Sequence, residues 1–329
     1  AALDEFFEIG IISEEHLRYR KNSFIDKYWI EEIEIQSSFG EHLVPADYIY
    51  SIESQKSKDY QTVILVHGLG GNRYTNYPLA EFFLEKGYNV ITYDQRSTNK
   101  NTAEYTTFGF WEKYDLIDYI NYIEKQAPGQ SIGIWGASFG GATAGLALGY
   151  EDMDTKVDFV ILDCPISSMK WMIEDVMKDM EAGIPVSYMT LAGNIINKLK
   201  LGFSYEDADV ANAMKDIETP VLIINSKVDT LTPYFMGKDI YDSIQGDNKE
   251  IWTVEDSEHC EMWLDYNKEY RNKVEKLLTE LAEGFIRCHR EYIVNTKYVE
   301  EFEGTDVVKL KNVDIALPIG RKYRDFFKK

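Results

Sequence analysis

Short, unbroken apolar runs recur through the middle of the chain, separated by helix-length stretches of mixed polarity. The first is Thr62-Val63-Ile64-Leu65-Val66, which ends at Gly68. Others span 89–93, 131–135, 157–162, 221–224 and 251–254. Runs this short and this apolar read as strands buried on both faces. Residues 79–86, 111–125, 138–150, 234–244 and 266–282 lie between or after them and read as helices. Strand alternating with helix predicts a mostly parallel sheet covered on both faces. Ahead of it, Ile30-Glu31-Glu32-Ile33-Glu34-Ile35 mostly alternates and Val44 to Ile52 is rich in β-formers, so the two predict an antiparallel pair with one wet face. The sum is an α/β fold with a sheet of about eight strands.

Two stretches depart from this rhythm. Residues 163–220 contain no strand and far exceed a connecting loop. Within them Met169, Met172, Ile173, Val176, Met177 and Met180 fall on one helical face, and a second helical stretch covers about 187–200. These predict a helical cap over the C-terminal edge of the sheet. Residues 3–28 read as helical, with Ser13 as N-cap and Glu14 and Glu15 in the first turn. At the far end, Val307-Val308-Lys309-Leu310 and Val313-Asp314-Ile315 read as short strands, and 321–329 is locally basic; a tail packed on the outer surface is favoured over a partner-binding arm. The expected organisation is an N-terminal helical extension at 1–29, an α/β core at 30–163 and 216–286, a cap at 164–215, and a C-terminal extension at 287–329.

The chemistry starts at Gly136-Ala137-Ser138-Phe139-Gly140-Gly141, between the apolar run 131–135 and a helix rich in small residues. In that setting GxSxG is a nucleophile elbow: Ser138 sits on a sharp strand-to-helix turn with a helix N-terminus behind it. A serine hydroxyl needs a base, and in this arrangement the base follows the nucleophile in sequence. Of the five histidines, His16, His42 and His67 precede Ser138, and His289 lies beyond the last helix. His259, on the loop after 251–254, is the expected base. Asp229, just past 221–224 and followed by Pro233, is the group expected to orient it, with Asp163 and Asp256 as competitors. The oxyanion hole is expected from the backbone N–H groups of Phe139 and of Leu69 in His67-Gly68-Leu69-Gly70-Gly71.

From about Ile30 to Phe285 the chain resembles serine α/β-hydrolases with an inserted cap, in particular bacterial esterases and prolyl-oligopeptidase-like hydrolases. Gly68, Leu69, Gly136, Ser138, Phe139, Gly140, Gly141, Asp229, Pro233 and His259 carry the resemblance. Where many relatives read Asp-x-Arg-Gly-His-Gly, this chain has Asp94-Gln95-Arg96-Ser97-Thr98-Asn99, so that loop is expected to be reshaped. The resemblance implies an acyl-enzyme on Ser138, with no metal and no organic cofactor. Hydrolysis of carboxylic esters of short to medium acyl chain is the leading expectation. A peptidase or amidase with the same triad and a non-catalytic binding protein on this scaffold are the alternatives. Met169, Trp171 and Met172 are candidate pocket residues under the cap, with packing of the cap helix on the core as the other reading.

Composition adds limits. With 35 basic and 56 acidic residues among 329, the formal charge is −21. A surface this negative repels polyanions, which sets aside nucleic acid and anionic lipid surfaces as partners and leaves a small-molecule acyl substrate. Cys164, Cys260 and Cys288 form no CxxC pair that would suggest zinc and no disulfide framework, which leaves at most a single bridge. No apolar run is long enough to span a membrane. The chain opens Ala1-Ala2-Leu3, compatible with removal of a leader, anchor or tag, so no compartment follows from it.

Overall fold

The computed structural model describes residues 24–52, 61–127, 130–180, 182–287, 293–295, 299–303, 306–310 and 316–319. The N-cap expected at Ser13, the strand expected at 313–315, the basic stretch 321–329, Cys288 and His289 lie outside them. The chain divides into two compact units, Ala1–Asp265 and Tyr266–Lys329.

The first unit is built on an eight-stranded sheet. Its strands are β1 (Trp29–Gln36), β2 (Leu43–Tyr50), β3 (Gln61–Val66), β4 (Asn89–Tyr93), β5 (Ser131–Ala137), β6 (Phe159–Asp163), β7 (Val221–Ser226) and β8 (Lys249–Val254), in the order β1-β2-β4-β3-β5-β6-β7-β8. The leading pair is antiparallel, β2 meets β4 antiparallel, and every other neighbour is parallel. The fold is thus an α/β-hydrolase sheet, as the alternation of apolar runs predicts. Strands β4 and β6 are buried at every position, and β3 and β5 at all but the first. Such burial demands cover on both faces. It comes from α1 (Tyr77–Glu85), α2 (Glu112–Gln126), α3 (Phe139–Leu148) and α7 (Phe235–Ser243) among others. In β1, isoleucines alternate with exposed glutamates, so the outermost strand keeps one face wet.

Between β6 and β7 lie the helices α4 (Met169–Asp179) and α5 (Val186–Leu201), and then the short α6 (Val210–Ala213). Ser168 caps α4 by accepting the N–H of Trp171, and Met169 and Met172 turn into the main core. Helix α5 ends where Gly202 takes a left-handed conformation at φ 82°. Its outer face exposes Tyr188, Leu191, Ile195, Ile196 and Leu199.

In the second unit, α9 (Asn267–Gly284) precedes two small antiparallel sheets; the four-residue α8 (Met262–Asp265) closes the first unit. Strand β9 (Phe285–Arg287) pairs with β10 (Ile293–Asn295), and β12 (Val307–Leu310) lies between β11 (Val299–Glu303) and β13 (Ala316–Pro318). Val294, Val308 and Ile319 form their own small core with Val299, Leu310 and Leu317. Helix α9 falls within this second unit, Tyr266–Lys329.

Arg73 is a buried cation of the first unit, 1% exposed, with Nε 3.7 Å from Asp47 and 3.9 Å from Asp94. Burial opposes its charge, and the two carboxylates outweigh that, holding the guanidinium firmly charged. Arg73→Met leaves both carboxylates buried without their cation and is expected to lower stability by about 3–5 kcal/mol in urea unfolding. Asp47→Asn added to that background should recover part of the loss. Equal stability of wild type and Arg73→Met would show that the carboxylates do not depend on it.

Candidate active site

The parallel strands bring the chemistry together because their C-terminal ends are in register. Ala137 pairs with Asp163, Asp163 with Ile224, and Ser226 with Val254. The residues just beyond these ends are Ser138, Cys164 and the loops to Asp229 and His259.

Ser138 holds φ 53° and ψ −116°, a conformation that costs an L residue of order 1–3 kcal/mol. Its N–H donates to the Asp163 carbonyl at 2.7 Å, and its carbonyl accepts the N–H of Ala142 at 3.2 Å in the first turn of α3. Two glycines permit the turn. A Cβ on Gly136 would lie 2.4 Å from the Gly140 carbonyl oxygen, and one on Gly140 would lie 2.2 Å from that of Val66. Helix α3 therefore rests directly on the ends of β3 and β5, with its first N–H groups, Phe139 included, left without intrahelical acceptors. The loop after β3 passes the serine closely: a Cβ on Gly68 would stand 3.5 Å from Ser138 Cβ. The chain turns back where Gly71 N–H donates to the Gly68 carbonyl, with Gly70 at φ 78°.

His67 braces that loop. Its Nδ1–H donates to the Gly68 carbonyl at 2.8 Å, and its Nε2 accepts the Gln95 N–H at 3.1 Å, which fixes the neutral tautomer. Gln95 Nε2 also donates to the His67 carbonyl at 2.6 Å, and Gln95 Oε1 accepts the Thr143 hydroxyl at 2.8 Å. The departure from the Asp-x-Arg-Gly-His-Gly pattern thus has a structural role, since Gln95 ties the glycine loop to α3. Ser97 and Asn99 of the same segment take positive φ, 60° and 45°.

Asp229 and His259 are hydrogen-bonded, with Nδ1–H of His259 donating to Asp229 Oδ2 at 2.7 Å. Asp229 Oδ1 accepts the N–H groups of Leu231 and Thr232, both at 2.9 Å. The Thr232 hydroxyl lies 2.9 Å from Oδ2 and 3.0 Å from the Cys164 carbonyl. Burial pushes the Asp229 carboxyl up, but His259 and then Thr232 hold it below the ordinary carboxylate range. Burial likewise lowers His259, and the Asp229 carboxylate more than reverses that, leaving it raised. Cys164 touches the same ring, but burial keeps its thiol neutral, so the charge that raises His259 is that of Asp229. Cys260 completes the cluster: its N–H donates to Cys164 Sγ at 3.4 Å, and its own Sγ lies 3.5 Å from His259 Nε2. Thr232 was readable in sequence as the fourth residue of the Asp229 turn. The meeting of Cys164 and Cys260 was not.

The candidate pocket residues divide. Met169 and Met172 are buried in the main core, while Trp171 stands edge-on to Phe235 at 5.1 Å. A cavity lined by Glu124, Gln130, Ile132, Thr155, Lys156 and Asp158 opens at the opposite, N-terminal edge of the strands and includes none of the residues above.

The architecture has the α/β-hydrolase fold, and residues 61–193 match the family model described as alpha/beta hydrolase fold. YqkD of Bacillus subtilis, an uncharacterized protein, is 27% identical over 246 residues, covering 74% of this chain and 80% of that protein. The lysophosphatidylserine lipase ABHD12 of Xenopus tropicalis is 23% identical over 202 residues, 57% of this chain and 48% of that protein. Among solved structures, the esterase Pf2001 of Pyrococcus furiosus superposes with a TM-score of 0.62 at 21% identity, covering 82% of this chain and 96% of that one. At that identity the likeness shows the fold alone.

A second family model, described as LytTr DNA-binding domain, matches residues 256–329 and corrects the expectation of no nucleic-acid partner. That expectation rested on an average. Residues 1–265 carry 21 basic and 45 acidic residues, whereas 266–329 carry 14 and 11, so a net −24 masks a net +3. Among the described residues no helix is long and apolar enough to cross a membrane.

Burial holds the His67 ring neutral, with a pKa lowered to about 4 from an ordinary 6.5. A depressed folded-state pKa means that its contribution is complete above about 6.5 and is lost as pH falls through about 4, at most about 3 kcal/mol. The stability gap between wild type and His67→Gln, from urea midpoints across pH, should therefore narrow over that window. A gap constant with pH would mean the ring is not held neutral.

Proposed function

We propose that the first unit is a serine hydrolase acting on carboxylic esters of short to medium acyl chain, with Ser138 as nucleophile, His259 as base and Asp229 as its orienting carboxylate. The observation that carries this reading is Ser138 in its strained turn at the same strand edge as the Asp229–His259 pair, joined at 2.7 Å. In this reading His259 Nε2 takes the Ser138 proton as the hydroxyl attacks the carbonyl. The N–H groups of Leu69 and Phe139 receive the oxyanion. The acyl-enzyme is then opened by water activated at the same nitrogen. A sequence relative named as a lipase supports an ester over an amide.

Fluorophosphonate should label wild type stoichiometrically and fail on Ser138→Ala. Hydrolysis of p-nitrophenyl esters, acetate through decanoate, should fall about 10⁴-fold in kcat for Asp229→Asn, which loses the correct imidazole tautomer. Labelling that survives in Ser138→Ala would remove Ser138 from the role.

The C-terminal unit favours a second activity, binding of duplex DNA, on the strength of the LytTr match and its own positive balance. The full chain should retard duplex DNA in a gel, with affinity falling steeply as salt rises. Replacing Arg321, Lys322 and Arg324 by serine should weaken binding and flatten the salt dependence by about 0.9 for each phosphate that is no longer neutralised. Binding indifferent to salt and to these residues would count against a phosphate-reading surface.

A further inference from the structure

Cys164 and Cys260 stand 96 residues apart in sequence, yet the fold sets both thiols against the ring of His259. We propose that Cys164, Cys260 and His259 form a binding site for a soft divalent transition-metal ion of the zinc class, and that filling it shuts the hydrolase. The inhibitory half rests on His259 serving as base for Ser138; the metal site itself does not.

The geometry points there first. The three ligand atoms lie within 4.8 Å of one another, and Cys260 Sγ is 3.5 Å from His259 Nε2. A tetrahedral zinc ion with bonds of about 2.3 Å to sulfur and about 2.0–2.1 Å to nitrogen needs a sulfur–nitrogen edge of about 3.5 Å and a sulfur–sulfur edge of about 3.8 Å. The Cys260–His259 edge meets the first at 3.5 Å, and the two sulfurs lie within 4.8 Å of each other. Both cysteines are free thiols. Thiolate sulfur and imidazole nitrogen together select zinc-class ions over magnesium or calcium.

The surroundings are also those of a metal-bound histidine. Asp229 accepts the Nδ1–H at 2.7 Å, so the ring is oriented and tautomer-locked with Nε2 facing the two sulfurs. On binding, each thiol loses its proton to solvent, and two thiolates balance the charge of a divalent ion in a buried place. Three protein ligands leave the fourth position to water. The ion then occupies the lone pair of Nε2 that would receive the serine proton. The same carboxylate that prepares the imidazole as a base also prepares it as a ligand, so the two uses exclude each other.

Titration of the reduced, chelator-treated full chain with Co²⁺ tests this. Expected are one equivalent bound, a near-ultraviolet thiolate-to-cobalt charge-transfer band, the visible bands of tetrahedral cobalt, and their bleaching by Zn²⁺. The bands should vanish in Cys260→Ser and Cys164→Ser, persist in Cys288→Ser and Ser138→Ala, and need roughly 10–100-fold more metal in Asp229→Asn. Cys260 is only partly buried, so Cys260→Ser decides the matter should Cys164→Ser fail to fold. Zn²⁺ should abolish fluorophosphonate labelling of wild type and spare that of Cys260→Ser. Absence of a thiolate band, or a band surviving in Cys260→Ser, overturns the site. A band with labelling unaffected by Zn²⁺ overturns the inhibition. Metal-free protein that never labels refutes the hydrolase reading, while the cobalt spectrum still decides the site.

Discussion

The candidate active edge of this protein depends on one backbone contact, where α3 lies against the end of β3 with no side chain between. At Gly140 even a methyl group would overlap the Val66 carbonyl, and at Gly136 it would overlap Gly140 itself. That closeness forces the sharp turn, and the turn forces Ser138 to φ 53°. The strain is sustained because the elements on either side are buried throughout: all of α3 and nearly all of β5. Several functional features then follow together. The helix N-terminus faces the serine, the glycine loop after β3 passes beside it, and the ends of β6, β7 and β8 fall in line next to it.

Electrostatics at this edge is arranged in layers. Asp229 is kept ionised inside the protein by two backbone N–H groups, the imidazole and the Thr232 hydroxyl, more donors than a buried carboxylate needs merely to be tolerated. Its charge is what favours a proton on His259. The thiols of Cys164 and Cys260 border the same ring from the other side. The groove that makes an imidazole basic thus also makes it a good ligand, and the two cysteines turn that general property into a specific competition.

Much of this was legible in the sequence, for physical reasons that differ from site to site. Buried parallel strands must be apolar along their length, so 62–66, 89–93 and 131–135 announced themselves. The elbow is local, with Gly136, Ser138 and Gly140 within five residues. Asp229 and His259 could be found because each lies just past a strand. Gln95 escaped because a glutamine in a loop has no pattern; only the altered Asp94-Gln95-Arg96 segment hinted at it. The cysteine pair escaped because the contact exists only once β6 and the loop after β8 are side by side. The segment that matches the LytTr model escaped for another reason: its strands are short, three to five residues each, and its positive balance is hidden in the total charge of a strongly acidic neighbour.

The most direct measurement for the central claim is mass spectrometry of the intact chain, acid-quenched during turnover of a slowly deacylated p-nitrophenyl ester and then digested. An acyl increment on the peptide that carries Ser138, present in wild type and absent in Ser138→Ala, is the predicted result. Ester hydrolysis with the increment on Cys164 or Cys260, or with no acylated peptide under conditions that trap the intermediate, would contradict it.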